Sequence, residues 1–280
     1  MGKAQTSTLT LPLPASDSNY ISQIRYALHF CDASIASFSV DDSQVVAVLK
    51  PGADSSSIRG KIARLLERYA AHRESFEPQV LWTTGRGLEA TASDDVWPQL
   101  VASGLVRQEG TGRVMLRGLA AQLLEAVDAY VVREIAPKLN CVPEVYPATI
   151  ACDDLAKPGY FANFPHHIQF VSHLREDIDC IDAFTANVKG DTAWSEHAAR
   201  SVQQNSALPA VVLNPSVCYH TYAGLAGSDT SAGISVTART RCHRHEGGNL
   251  TGLQRLADFD MREVVFVGKP DFVLQRRDRG

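Results

Sequence analysis

The chain has no CxxC pair, no apolar run of membrane-spanning length, no internal repeat and no low-complexity tract. Its six cysteines are scattered at positions 31, 141, 152, 180, 218 and 242. That scatter does not read as a disulfide framework, and a reduced, cytoplasmic setting is expected. Without an apolar stretch of roughly 20 residues, no membrane helix is expected. The first thirty residues show no basic start followed by an apolar core, so no leader is expected either. Neither sign of charge dominates. The 27 Lys and Arg against 31 Asp and Glu leave a formal net charge of −4, which gives no help to wholesale nucleic-acid binding but leaves room for a local basic patch.

What is present is the composition of an ordinary globular protein, 280 residues with 45% hydrophobic and 21% charged side chains. Such a chain can bury one large or two modest cores. Residues 1–18, rich in Ser, Thr and Pro, are expected to form a loose, disordered arm. Ile21, Ile24, Ala27 and Leu28 recur at helical spacing, a hairpin is expected over Ile35–Val40 and Val45–Leu49, and a second helix carries Ile58, Ile62, Leu65, Leu66 and Tyr69 with Ser55–Ser57 as caps. This makes residues 1–75 a small α+β module, followed by an irregular linker over 76–100 and a core over 101–280. In the core a short helix ends near Gly104 and Arg113–Leu116 reads as a strand. Leu119, Leu123, Leu124, Val127, Val131 and Ile135 mark a long amphipathic helix that feeds a strand over Glu144–Ile150.

The chemistry concentrates near Arg244-His245-Glu246, followed by Arg255-Leu256-Ala257-Asp258-Phe259 and Glu263. The segment reads as two antiparallel strands joined by a loop. Strand alternation would put Arg244 and Glu246 on one face. A guanidinium grips phosphate oxygens in a bidentate fork, and a neighbouring carboxylate accepts hydrogen bonds from an amine. The pair is therefore suited to holding a nucleotide and its neighbour.

Arg-x-Glu, a loop, then Arg-x-x-x-Phe resembles motif 2 of the class II aminoacyl-tRNA synthetases. The flanking residues, Ala238–Glu246 and Asp258–Glu263, look most like the zinc-dependent amino acid:[carrier protein] ligases, relatives of the methanogen-type seryl-tRNA synthetases. The resemblance implies an α+β fold in which a class II antiparallel sheet is flanked by helices and preceded by the small α+β module. It gives Arg244 the α-phosphate of ATP and the substrate carboxylate, Glu246 the adenine or its amino group, Arg255 the phosphates and Phe259 a place beside the adenine. Phe259 in a core is the competing reading. The long helix and the strand that carries Pro147 resemble motif 1, which implies a homodimer.

Gly159-Tyr160-Phe161-Ala162-Asn163-Phe164-Pro165 resembles a further family stretch. Leu213-Asn214-Pro215-Ser216-Val217-Cys218 resembles the synthetase segment Leu-x-Pro-Thr-x-Glu, with a cysteine in place of the glutamate that takes the substrate amine. By resemblance Cys218 and Glu263 are two ligands of a zinc ion whose open position receives that amine. A buried filler cysteine and a Glu263 paired to Arg262 or Arg255 are the plain alternatives. His166, His167 and His243 are expected to be structural or at the surface, and His245 to line the nucleotide pocket.

The resemblance implies ATP-dependent formation of an aminoacyl-adenylate with Mg²⁺ and Zn²⁺, then transfer to the phosphopantetheine thiol of an acyl carrier protein. The alternatives are a seryl-type synthetase acting on tRNA and a non-catalytic binding module. Family members continue beyond Gly268 with further strands, a third zinc ligand and motif 3, whose arginine holds the γ-phosphate. On that pattern the sheet is expected to be incomplete at the C-terminus and activity to be impaired.

Overall fold

The computed structural model describes residues 6–13, 18–71, 96–190 and 192–278. By internal contacts the chain divides into one unit of Met1–Val96 with Gly247–Leu250, and a second of Trp97–Glu246 with Thr251–Gly280.

The first unit is built from β1 (Ser7–Pro12), α1 (Ser18–Leu28), β2 (Ile35–Val40), β3 (Gln44–Leu49) and α2 (Ser55–Ala71). The strands form an antiparallel sheet in the order β1-β3-β2. The loose arm expected at the N-terminus is corrected over Ser7–Pro12, which pairs with β3 along its whole length. The reason is visible in its alternation: Leu9 and Leu11 are buried while Thr8 and Thr10 face out, a period of two that one covered sheet face requires. Leu9, Leu11, Val45, Ala47 and Leu49 meet Ile24 and Leu28 of α1 and Ile58 and Ile62 of α2 in one core. The cap of α2 is Asp54 rather than the serines, since its Oδ1 accepts the Ser56 and Ser57 N–H groups at 3.0 and 3.1 Å. Most of the linker expected over 76–100 lies outside the described residues.

The second unit begins with α3 (Trp97–Ala102), the hairpin of β4 (Val106–Gly110) and β5 (Arg113–Leu116), and α4 (Leu119–Tyr130). The long helix read from the sequence changes its winding: a π turn over Val131–Ile135 and a 3₁₀ turn over Ala136–Leu139 follow α4, and Asn140 ends the run at φ 53°. Next come β6 (Val142–Val145), β7 (Thr149–Ala151), α5 (Cys152–Ala156), α6 (Tyr160–Asn163), a 3₁₀ turn at Pro165–His167, and β8 (Phe170–Val171). Then follow α7 (Ile178–Val188), α8 (Glu196–Asn205), β9 (Val211–Leu213), α9 (Cys218–Gly224), β10 (Ile234–His243), β11 (Asp258–Val267) and α10 (Pro270–Arg277).

The single strand expected over Glu144–Ile150 is in fact two. β6 runs parallel to β10, whereas β7 pairs antiparallel with β9 in a separate sheet of order β7-β9-β8. The break falls at Tyr146-Pro147-Ala148, where proline has no N–H to extend a ladder.

β10 and β11 form the longest ladder among the described residues, ten residue pairs from Ile234↔Val267 to His243↔Asp258. Alternation divides its side chains between two faces. One carries Ala238, Cys242, Phe259, Met261 and Glu263. The other carries Arg239, Arg241, Asp258, Asp260 and Arg262. The second face is charged because α4 covers it with acids: Arg239 forks onto Glu125 at 2.9 and 3.1 Å, and Arg262 grips Asp128. Arg262 holds the Asp128 carboxyl below its ordinary value. Gly233, at φ 80°, lets α10 close on the start of β10, since a Cβ there would lie 2.5 Å from the Phe272 ring.

Candidate functional site

The site stands on the face opposite that charged layer. Its floor is apolar: Val217, Ala238 and Cys242 are fully buried, with Tyr146, Phe259 and Met261 packed against them. Burial, followed by the nearby Glu263 carboxylate, pushes the Cys242 thiol up to about 12. It stays protonated and serves as packing.

β10 ends at His243, so Arg244 and Glu246 lie just past the strand rather than on it. Pairing continues for one further bond, Arg244 N–H to Ala257 O at 3.0 Å, and this keeps Arg244 on the Phe259 side of the sheet. Its guanidinium sits over the Phe259 ring, 5.4 Å from the centroid, and its Nε donates to Pro215 O at 2.9 Å. One ring and one carbonyl thus fix a group with five donors while leaving others for a ligand. Glu246 is 4% exposed, and its Oε2 accepts from Arg255 Nη1 at 2.9 Å. A carboxylate this buried needs such a partner.

The segment after β9 is tied in at both ends. Asn214 donates its N–H to Ala148 O and accepts from His243 N–H, each at 2.9 Å. Ser216 then donates its hydroxyl to Glu263 Oε1 at 2.8 Å and lies 3.5 Å from Cys218 Sγ. The structure therefore brings Cys218 and Glu263 to a single hydroxyl. Burial first, and then the Glu263 carboxylate, raise the Cys218 thiol, against the lowering effect of its Ser216 contact. The reading of Glu263 as a partner of Arg262 or Arg255 is set aside, because those arginines face Asp128 and Glu246. Among the described residues no group of three or more His, Cys, Asp or Glu converges as a metal cage. One thiol and one carboxylate suit a zinc site in kind but fall short of its three protein ligands.

Two features were not read from the sequence. Ser216 is the bridge between the two candidate ligands, and the hydroxyl at the Thr position of Leu-x-Pro-Thr-x-Glu was the available signal. His166 and His167, expected to be structural or at the surface, lie beside the Arg244–Glu246 segment: His245 N–H donates to His167 O at 2.9 Å, and the charges of Arg244 and Arg255 reach His167.

Comparison with known proteins draws these observations together. No family model matches the chain. Over 183 residues it is 29% identical to an amino acid--[acyl-carrier-protein] ligase of Bradyrhizobium diazoefficiens, covering 64% of this chain and 51% of that protein. A type-2 serine--tRNA ligase of Methanocaldococcus jannaschii is 24% identical over 160 residues, 56% of this chain and 30% of the relative. The seryl-tRNA synthetase of M. kandleri, solved in complex with A. aeolicus tRNASec, aligns with 98% of this chain and 54% of its own, at a TM-score of 0.63 and 18% identity.

The fold is that of the class II synthetases.

Homologues of this synthetase-like chain are thus amino acid--[acyl-carrier-protein] ligases and type-2 serine--tRNA ligases. The chain spans about half or less of the length of these curated relatives. Arg244 to Ala257 forms the connection between β10 and β11, Phe259 stands on β11, and α4 lies against the charged face of that strand pair.

Proposed function

We propose that this chain activates an amino acid with ATP, forming an aminoacyl-adenylate, and passes the aminoacyl group to the phosphopantetheine thiol of an acyl carrier protein. The observation that carries the reading is the convergence of Arg244 on Phe259, beside the buried Glu246 and its partner Arg255, with Cys218 and Glu263 joined through Ser216. In the activation step the substrate carboxylate attacks the α-phosphorus and pyrophosphate leaves. Arg244 neutralises the α-phosphate and orients the carboxylate, Glu246 contacts the adenine amino group, and Arg255 supports the phosphates with Mg²⁺. Fixed charges aimed at such a transition state contribute about 3–4 kcal/mol each. Phe259 stiffens the Arg244 side chain and borders the adenine. Cys218 and Glu263 are proposed as two ligands of a zinc ion, which when bound would receive the substrate α-amine at its open position. A homodimer through the motif 1 region is part of the same proposal.

Amino-acid-dependent exchange of labelled pyrophosphate into ATP tests the activation step. Exchange supports the reading, whereas its absence in a folded sample favours a non-catalytic binding module. The serine--tRNA ligase relatives support a second reading, with tRNA as acceptor. Offering labelled serine, alanine or glycine with a phosphopantetheinylated carrier protein in one reaction and tRNA in another decides between the acceptors. Metal analysis tests the zinc claim separately: zinc bound by the purified protein is expected to fall on Cys218→Ala. Zinc content that ignores the substitution removes Cys218 from the site.

A further inference from the structure

We propose that His166 and His167 bind the polyphosphate of the nucleotide, extending the anion site formed by Arg244 and Arg255. This inference rests on the nucleotide reading above and assigns a task to residues that reading leaves idle.

The position of the pair is set by the backbone. Pro165 opens the 3₁₀ turn with a fixed φ, and the turn presents two consecutive histidines. His167 O accepts the N–H of His245, the residue between Arg244 and Glu246, at 2.9 Å. The two segments therefore run side by side, and the histidines cannot drift from the arginines without breaking this bond.

A chain of rings then fixes the imidazoles. His167 lies parallel to Phe164, with centroids 5.8 Å apart and an interplanar angle of 7°. His166 meets His167 edge-on at 4.3 Å. Phe164 packs on Tyr160 at 5.3 Å, and Tyr160 meets Tyr219, the neighbour of Cys218, at 5.3 Å. The ledge thus runs from the Cys218 helix to the arginines. Ring faces already engaged in stacking suit oxygen ligands bound through ring nitrogens better than a stacked base.

The electrostatic setting agrees. The charges that act on His167 are those of His166, Glu246, Arg244 and Arg255, and those that act on His166 are Glu246 and His245. Burial is the first cause that lowers the pKa of both rings, with His167 brought down to about 4. A neutral imidazole can stand beside two guanidiniums without like-charge repulsion, and it still offers an N–H. Against Arg244 and Arg255, Glu246 already cancels one positive charge. Further N–H donors beside the arginines would therefore add to the hold on a polyphosphate.

The test is titration calorimetry of the whole chain with three probes: ATP with Mg²⁺, inorganic pyrophosphate, and adenosine. The variant H166F/H167F keeps the stacking and removes the nitrogens. It is expected to bind pyrophosphate about tenfold more weakly, a change of about 1.4 kcal/mol, with adenosine binding unchanged. Unchanged pyrophosphate affinity, or weakening confined to adenosine, overturns the inference. Arg244→Ala separates the two claims. If the unsubstituted chain binds ATP, loses it with Arg244→Ala and keeps it in H166F/H167F, only the histidine claim falls. If it binds neither ATP nor pyrophosphate, both fall. Should the double variant not fold, histidine-ring NMR of the unsubstituted protein decides: pyrophosphate is expected to shift two ring systems that are absent from the spectra of His166→Gln and His167→Gln, and unshifted rings overturn the proposal.

Discussion

Arg244 is held by one carbonyl and one aromatic face, so its replacement removes a charge from the site while leaving little packing to collapse. Arg244→Ala is expected to lower pyrophosphate exchange by about 10²- to 10³-fold with the melting temperature nearly unchanged. Arg244→Lys should recover little, because a point charge cannot reproduce the fork. Equal activity in Arg244→Ala would remove this residue from the chemistry. The Glu246–Arg255 pair behaves differently because its members differ in burial: the Glu246 side chain is 5% exposed and that of Arg255 45%. Arg255→Ala strands a buried carboxylate and is expected to cost about 1–3 kcal/mol, whereas Glu246→Ala leaves an arginine that water can solvate and costs less. Urea unfolding of both variants and the double variant checks this. Equal losses for the two single changes contradict the asymmetry.

At the scale of elements, α4 has two opposed surfaces. Glu125 and Asp128 fasten one to Arg239 and Arg262 of the strand pair. Leu119, Leu123, Val127 and Tyr130 occupy the other, 71, 65, 56 and 57% exposed. They recur at helical spacing, and β6 adds Val142 and Val145, also exposed, at the edge of the same sheet. An apolar stripe beside an open sheet edge is what a two-fold partner would cover. The proposed dimer is therefore expected to dissociate in Leu123→Glu, seen as a halved mass in sedimentation velocity. A parent chain that sediments as a monomer at micromolar concentration rules this interface out. The sequence shows the stripe plainly, because helical periodicity is local. It does not show which flank of the helix the acids would bind, since their partners lie more than a hundred residues away.

For the molecule as a whole, the half-buried His167 couples the site to stability. His167 titrates at about 4 instead of its ordinary 6.5, chiefly through burial. Above pH 6.5 neither folded nor unfolded chain carries this proton, so the residue costs nothing. Between 6.5 and about 4 the unfolded chain is protonated and the folded one is not, so stability falls as pH falls through that window. His167→Gln is expected to flatten that part of the stability profile in urea titrations at stepped pH. A variant profile parallel to that of the parent excludes His167 as the source.

The elements with a local signature were readable directly: the hairpin and helices of the first unit, α4, and the Arg-x-Glu and Arg-x-x-x-Phe spacing. Each depends on periodicity or on residues near one another in the chain. The composition around Ser7–Pro12 suggests a loose arm, because the strand that pairs with it, β3, lies more than thirty residues further along the chain. The division of Glu144–Ile150 into two strands, the bridge from Ser216 to Glu263 and the approach of His167 to the arginines all join distant segments. No residue carries such a meeting within itself. It exists only once the β10–β11 ladder has set its register and the turns around it have closed.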